Sequence, residues 1–290
     1  DEIRGMSDTA NPAGSEGRMQ TANGDAARSS DAAALKQCCA LLYESEAAKW
    51  LLGDSFHPGG LALTERLGDR LRLGPGDRVL DVASGRGTSA LFLAERFGCE
   101  VVGVDYGRVS IESASAAAAA RSLSGRVSFR QADAESLPFP DGAFDALVCE
   151  CAFCTFPDKA RAVQEFARVL RADGHLALSD LSRAGELTRE LEGLLAWIAC
   201  IADAQPVEQY VEYLRSGGFT IEAVESHDEA LQALVQQVRG RLLAADVLRG
   251  LEMVELPSLD FAAARDLAQA ATDAISRGDL GYALITAVKR

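Results

Sequence analysis

Between Arg78 and Asp180 the hydrophobic pattern switches repeatedly between short buried runs and helical stripes, and this alternation restricts the fold more than any other feature. Arg78–Val82, Glu100–Asp105, Val127–Gln131, Ala146–Cys151 and His175–Asp180 read as strands. Thr88–Phe97, the alanine-rich Val109–Leu123 and Lys159–Leu170, the last closed by Asp173-Gly174, read as helices between them. Strands joined through helices pair in parallel, with right-handed crossovers that put helices on both faces of the sheet. The expected fold class is α/β, doubly wound, with mainly parallel strands.

Beyond Asp180 the pattern predicts a helix through Leu194–Ile201, another at Val207–Ser216, and strands at Phe219–Ser226 and Gly281–Val288. Between those strands, about residues 228–279, lies a helical insertion broken only by Pro257. It reads as a cap, serving either as packing on the sheet or as a lid over substrate. At the front, helical spacing begins at Asp31 and carries Leu35, Leu41, Leu42, Trp50 and Leu51 to a break at Phe56–Gly60. A second helix follows to about Leu71. Residues 1–30 are rich in Gly, Ala, Ser, Asp and Asn and are expected to form a disordered tail, because they bury too little to offset the entropy of ordering. Residues 31–290 form one expected domain.

With 29 Lys and Arg against 43 Asp and Glu, the formal charge is −14, which argues against a nucleic-acid partner. No apolar run is long enough to span a membrane, so a cytoplasmic protein without a membrane partner is expected. Seven cysteines in a chain of 290 residues argue for reduced thiols rather than a disulfide framework. Their spacing lacks the paired C-x-x-C of a zinc site, and no metal ion is expected.

The strand Val79–Val82 runs into Ala83-Ser84-Gly85-Arg86-Gly87-Thr88, a glycine loop that opens a helix. Gly85 and Gly87 permit close approach of backbone to a ligand. Gly85, Gly87 and Ala90 also fit the dinucleotide fingerprint, with Asp105 twenty residues beyond Gly85. Asp81 inside the strand and Asp133-Ala134-Glu135 after the third strand separate S-adenosylmethionine (SAM) from NAD. Asp81 can order the loop and face the methionine ammonium, Asp105 can take both ribose hydroxyls, and Asp133 can accept from the adenine amino group. Three acids at three successive strand ends lie on the edge where α/β sheets bind ligands. His57-Pro58-Gly59-Gly60 upstream reads either as helix-start amides for the SAM carboxylate or as ordinary turn punctuation.

These segments, D-V-A-S-G-R-G, G-V-D, D-A-E-S-L-P-F and F-D-A-L-V, resemble the ordered motifs of class I SAM-dependent methyltransferases over roughly residues 74–180. The resemblance implies a Rossmann-like sheet closed by a reversed C-terminal hairpin, SAM as cofactor, and Asp81, Ser84, Gly85, Gly87, Asp105, Tyr106, Asp133, Ala134 and Glu150 around it.

Residues 150–159, Gln164-Glu165, Arg168–Leu170, Ser179–Leu181 and Trp197–Cys200 are further similar to arsenite methyltransferases. That similarity implies transfer of methyl groups to trivalent arsenic held by thiolates, with a thiol reductant as co-reactant. Cys151 and Cys200, forty-nine residues apart, match the family's positions, and Cys39 or Cys154 supplies a third thiol. The segment from His57 to Val82 lacks the cysteine that family places close before the glycine loop. The residues leave three other readings open: thiols that merely pack, Cys99 chief among them; a small organic acceptor with Glu150, Tyr43 or His57 as base; and a non-catalytic SAM-binding or NAD-binding protein.

Overall fold

The computed structural model describes residues 33–41, 43–44, 50–53, 57–185, 201, 203–250 and 260–290. The expected tail at residues 1–30, Cys200 and most of the helix expected at Leu194–Ile201 lie outside them.

Strands β1 (Arg78–Val82), β2 (Glu100–Asp105), β3 (Val127–Gln131), β4 (Phe144–Glu150), β5 (Leu170–Arg183), β6 (Phe219–Ser226) and β7 (Leu280–Lys289) form one sheet in the order β3-β2-β1-β4-β5-β7-β6. The pairs β1–β2, β2–β3, β1–β4 and β4–β5 are parallel, whereas β7 runs antiparallel to both β5 and β6. This is the expected Rossmann-like sheet with its reversed C-terminal pair, although helices rather than a tight turn connect β6 to β7.

Helices α1 (Gly60–Arg70), α2 (Thr88–Phe97), α3 (Arg108–Ala120), α4 (Lys159–Val169), α5 (Val207–Ser216), α6 (Asp228–Gly250) and α7 (Phe261–Arg277) complete the described elements, with a 3₁₀ turn at Phe153–Thr155. Val79, Leu80 and Val82 of β1 are fully buried, as a central strand covered on both faces requires. Asp158 caps α4 by accepting from Arg161 N at 2.9 Å. Several boundaries differ from expectation by one to five residues, and two of them have a visible cause. Strand β4 stops at Glu150, because Cys151 turns into the left-handed region with φ 53°. Strand β5 begins at Leu170 rather than His175, since Leu170 already pairs with Phe144 before a register shift.

Helices α6 and α7 form the insertion. Leu242, Ala245, Phe261, Ala264 and Ala268 make a small core of their own, against which Trp50 and Leu51 pack. Arg241 donates to the carbonyls of Trp50 (3.2 Å) and Leu51 (2.7 Å). The described part of the insertion therefore braces the front of the chain.

Candidate active site

The strand order reverses between β1 and β4, so the loops leaving their carboxyl ends diverge and open a crevice at the switch point. One pocket occupies it. Asp81, Val82 and the loop Ala83–Arg86 form its floor, Asp105 and Tyr106 one side, Asp133 and Ala134 the next, and Glu150 and Cys151 the other.

Asp81 is 2% exposed, and its Oδ2 is buried without a hydrogen-bond partner among the described residues. Burial, then the nearby charges of Glu150 and Asp105, push its carboxyl well above the usual carboxylate range, opposed by one backbone N–H from Ala90. Such a group calls for a cation. Ser84 Oγ is likewise buried without a partner. Asp105 accepts from Gly85 N at 2.8 Å through Oδ2 and from Gly107 N at 2.7 Å through Oδ1. It thereby ties the glycine loop to the end of β2. Burial raises its pKa, and these two amides hold it down in part.

Gly85 has φ 52° and open space where a Cβ would stand. Gly87 does not line the pocket: its φ is 80°, and a Cβ there would lie 2.4 Å from the Phe129 ring. Packing of α2 against β3 by itself requires a glycine here. Of the His57–Gly60 turn, His57 lines the pocket, and Gly60 N bonds back to His57 O at 3.3 Å.

At the β4 side, Glu150 is buried with 4% of its side chain exposed. Thr64 Oγ1 of α1 lies 3.2 Å from each of its carboxylate oxygens, and His57 Nδ1 lies 3.7 Å from Oε1. The other nitrogen, Nε2, is 3.4 Å from Ser89 Oγ of α2 and 3.5 Å from Thr64 Oγ1. Tyr43, Thr155 and Phe156 close this end.

Cys39 and Cys151 both line the pocket, whereas Cys149 and Cys154 are fully buried outside its lining. Burial, with Asp180, Asp81 and Glu150 nearby, pushes the Cys149 thiol well above its ordinary value, which disfavours the thiolate there. Cys99 is also sealed in the core, its pKa raised by burial to about 11.

Sequence reasoning missed Thr64 and Ser89 beside His57, and it missed residues of the front helical segment, residues 33–41, and the turn after it. Lys36 bridges Asp133 and Glu135. Glu44 Oε1 accepts from Val109 N (2.8 Å) and Ser110 N (3.1 Å) at the start of α3, and Arg86 donates to Glu44 O at 3.3 Å. No local signal marks these partners, which lie between 42 and 99 residues away in sequence.

Residues 80–178 match the model of a family described as a methyltransferase domain. Methyltransferase GfsG of Streptomyces halstedii is 30% identical over 240 residues, covering 81% of this chain and 82% of the relative. The chain belongs to the class I SAM-dependent methyltransferases. O-methyltransferase resE of Aspergillus sclerotiorum is 30% identical over 228 residues, covering 78% of this chain and 80% of its own. The fold is shared with phosphoethanolamine N-methyltransferase 2 of Haemonchus contortus, solved with phosphomonomethylethanolamine and S-adenosylhomocysteine, at TM-score 0.71 and 21% identity over 84% of this chain and 56% of that one. The methyltransferase's cofactor is SAM, and the pocket suits it: the unpartnered Asp81 oxygen offers an anion to a cationic ligand, beside a loop free of side chains at Gly85.

Proposed function

We propose that this methyltransferase transfers a methyl group from SAM to an oxygen of a small organic acceptor, with His57 as base. The observation that carries the reading is the buried His57–Glu150 pair lining the pocket, with Thr64 packed behind it on Glu150. Asp81 would hold the methionine ammonium, Asp105 the ribose hydroxyls, and Asp133 with Ala134 the adenine, beside Ser84, Gly85 and Tyr106. Asp105 keeps acceptor capacity for this role, because each of its oxygens spends one lone pair on a backbone amide.

The cofactor supplies an electrophilic methyl carbon on a positively charged sulfur. The chain's part is to place the acceptor oxygen in line with it, exclude water, and remove the acceptor's proton. Nδ1–H of His57, directed at Pro58 O (3.3 Å) and Glu150, leaves Nε2 as the basic atom. That nitrogen would take the hydroxyl proton as the C–O bond forms and the methyl–sulfur bond breaks to leave a neutral thioether, and Glu150 would stabilise the imidazolium so produced. The relative resE is an O-methyltransferase.

A second reading, methylation of arsenite held by thiolates with a thiol reductant, is favoured by Cys39 and Cys151 facing one pocket. In that reading Cys39 supplies the further thiol, since Cys154 is sealed in the core, and Cys200 lies outside the described residues. The deciding experiment supplies methyl-labelled SAM to hydroxylated small molecules and, separately, to As(III) with excess thiol. Label in an ether product supports the first reading. Label in a methylarsenical, lost in Cys39→Ser and Cys151→Ser, would replace it with the second.

A further inference from the structure

Lys36 stands apart from every group considered so far, because it reaches the cofactor pocket from the front helical segment and meets two carboxylates of a single turn. Its Nζ lies 2.8 Å from Asp133 Oδ2, 3.0 Å from Asp133 Oδ1 and 2.5 Å from Glu135 Oε2. Only 14% of its side chain is exposed. Burial works against its charge, and the two acids outweigh burial, so its pKa lies above the ordinary lysine value.

The acceptor capacity of Asp133 makes this contact informative. A carboxylate offers about four lone-pair directions. Oδ1 accepts from Lys36 and from Glu135 N at 2.9 Å, while Oδ2, among the described residues, accepts from Lys36 alone. One direction, on Oδ2, is left at a residue that lines the pocket. Glu135 does not line the pocket, and its carboxylate is turned to the protein: Oε1 accepts from Asp158 N at 2.8 Å and Oε2 from Lys36. Without the lysine, two like charges on one turn would repel, and Asp133 would lose the contact that fixes both of its oxygens.

We infer that Lys36 is a positioning residue for adenine recognition: it clamps Asp133 so that one lone pair of Oδ2 faces the pocket, aimed at the exocyclic amino group of the cofactor. The inference rests on the assignment of Asp133 to the adenine in the proposed function. It makes cofactor selectivity depend on the front segment, whose Tyr43, Ala40 and Cys39 line the same pocket. The opposite arrangement is a lysine that merely occupies Asp133 in the ligand-free chain and must be displaced.

Calorimetry on the full-length chain with S-adenosylhomocysteine and with S-inosylhomocysteine, in which a carbonyl replaces the amino group, separates these arrangements. The wild type is expected to prefer the adenosyl ligand by tenfold or more. Lys36→Gln should weaken the adenosyl ligand by about tenfold and leave the inosyl ligand nearly unchanged, collapsing the preference; Lys36→Arg should restore much of it. Equal weakening of both ligands would mean that Lys36 only stabilises the fold, and unchanged or tighter adenosyl binding would mean that it competes with the cofactor; either overturns the inference. Asp133→Asn tests the underlying assignment separately. If it leaves the preference intact, the adenine assignment fails; if it removes the preference while Lys36→Gln does not, only the role of Lys36 fails. Thermal unfolding of each variant shows whether the fold has been kept.

Discussion

The two ends of the pocket are built in different ways. At the proposed cofactor end, Asp81, Asp105 and Asp133 stand on or just after β1, β2 and β3, each inside its own short motif, and neighbouring parallel strands bring them together. At the proposed acceptor end, His57 precedes α1, Ser89 lies on α2, Glu150 on β4 and Cys39 on the front segment, with Thr64 of α1 behind Glu150. These residues meet only because helices pack over the sheet edge. The first kind of site follows from strand register, while the second follows from packing. A change of acceptor can therefore leave the cofactor motifs untouched.

The comparison breaks most sharply at His57. His57→Ala should lower kcat by about 10²- to 10⁴-fold with SAM affinity nearly unchanged, the range for loss of a general base. If calorimetry shows SAM binding lost as well, His57 belongs to the cofactor end and the division fails.

Asp105→Ala should weaken SAM by about 1.5–3 kcal/mol, roughly 10- to 150-fold, since it removes a charged acceptor and frees the amides of Gly85 and Gly107. Titration of the variant with SAM checks this; a Kd equal to wild type would remove Asp105 from the cofactor end.

The pH dependence of Asp81 sharpens the comparison further. Its folded pKa lies above the unfolded one, so its contribution to stability is full below the ordinary carboxylate range and is lost as pH rises through the raised value. Binding of a cation works the other way, because an ammonium favours the ionised carboxylate. SAM affinity should thus rise with pH, by up to about tenfold per unit below that pKa. Asp81→Asn should bind SAM weakly and flatten both dependences, and a wild-type affinity independent of pH would contradict the role given to Asp81.

Gly87→Ala tests the packing beneath the loop. It forces a Cβ to within 2.4 Å of Phe129 at φ 80°, and should cost about 1–3 kcal/mol of stability by denaturant unfolding. The smallest effect is expected from deleting residues 1–30, which should leave the unfolding midpoint and SAM affinity as they are.

Much of the sheet's carboxyl edge was legible because its information is local. The strand-loop-helix of residues 78–97 and the acids at 105 and 133 need only a period and a turn to be read, and β1, β2, β3 and α2 begin and end where the pattern placed them. The role of Gly87 was not legible, since a glycine beside a loop looks the same whether it clears a ligand or the ring of Phe129, forty-two residues away. The thiols show the same limit. Cys149, Cys151 and Cys154 form one cluster in sequence, yet the left-handed turn at Cys151 sends that side chain to the pocket while the other two are sealed in the core. Nor could an amphipathic stripe say whether the insertion is a lid: α6 and α7 present the same pattern whichever surface they cover, and here their small core packs on Trp50 and Leu51.

The sequence by itself determined the sheet, its crossovers and the row of acids along its carboxyl edge, because periodicity and turn chemistry act over a few residues. Only the tertiary structure decided which surfaces meet over that edge: Lys36 on Asp133, Thr64 and His57 on Glu150, and α6 with α7 on the front of the chain. The physical reason is that these contacts join residues tens of positions apart, through burial and charge pairing that no local pattern encodes.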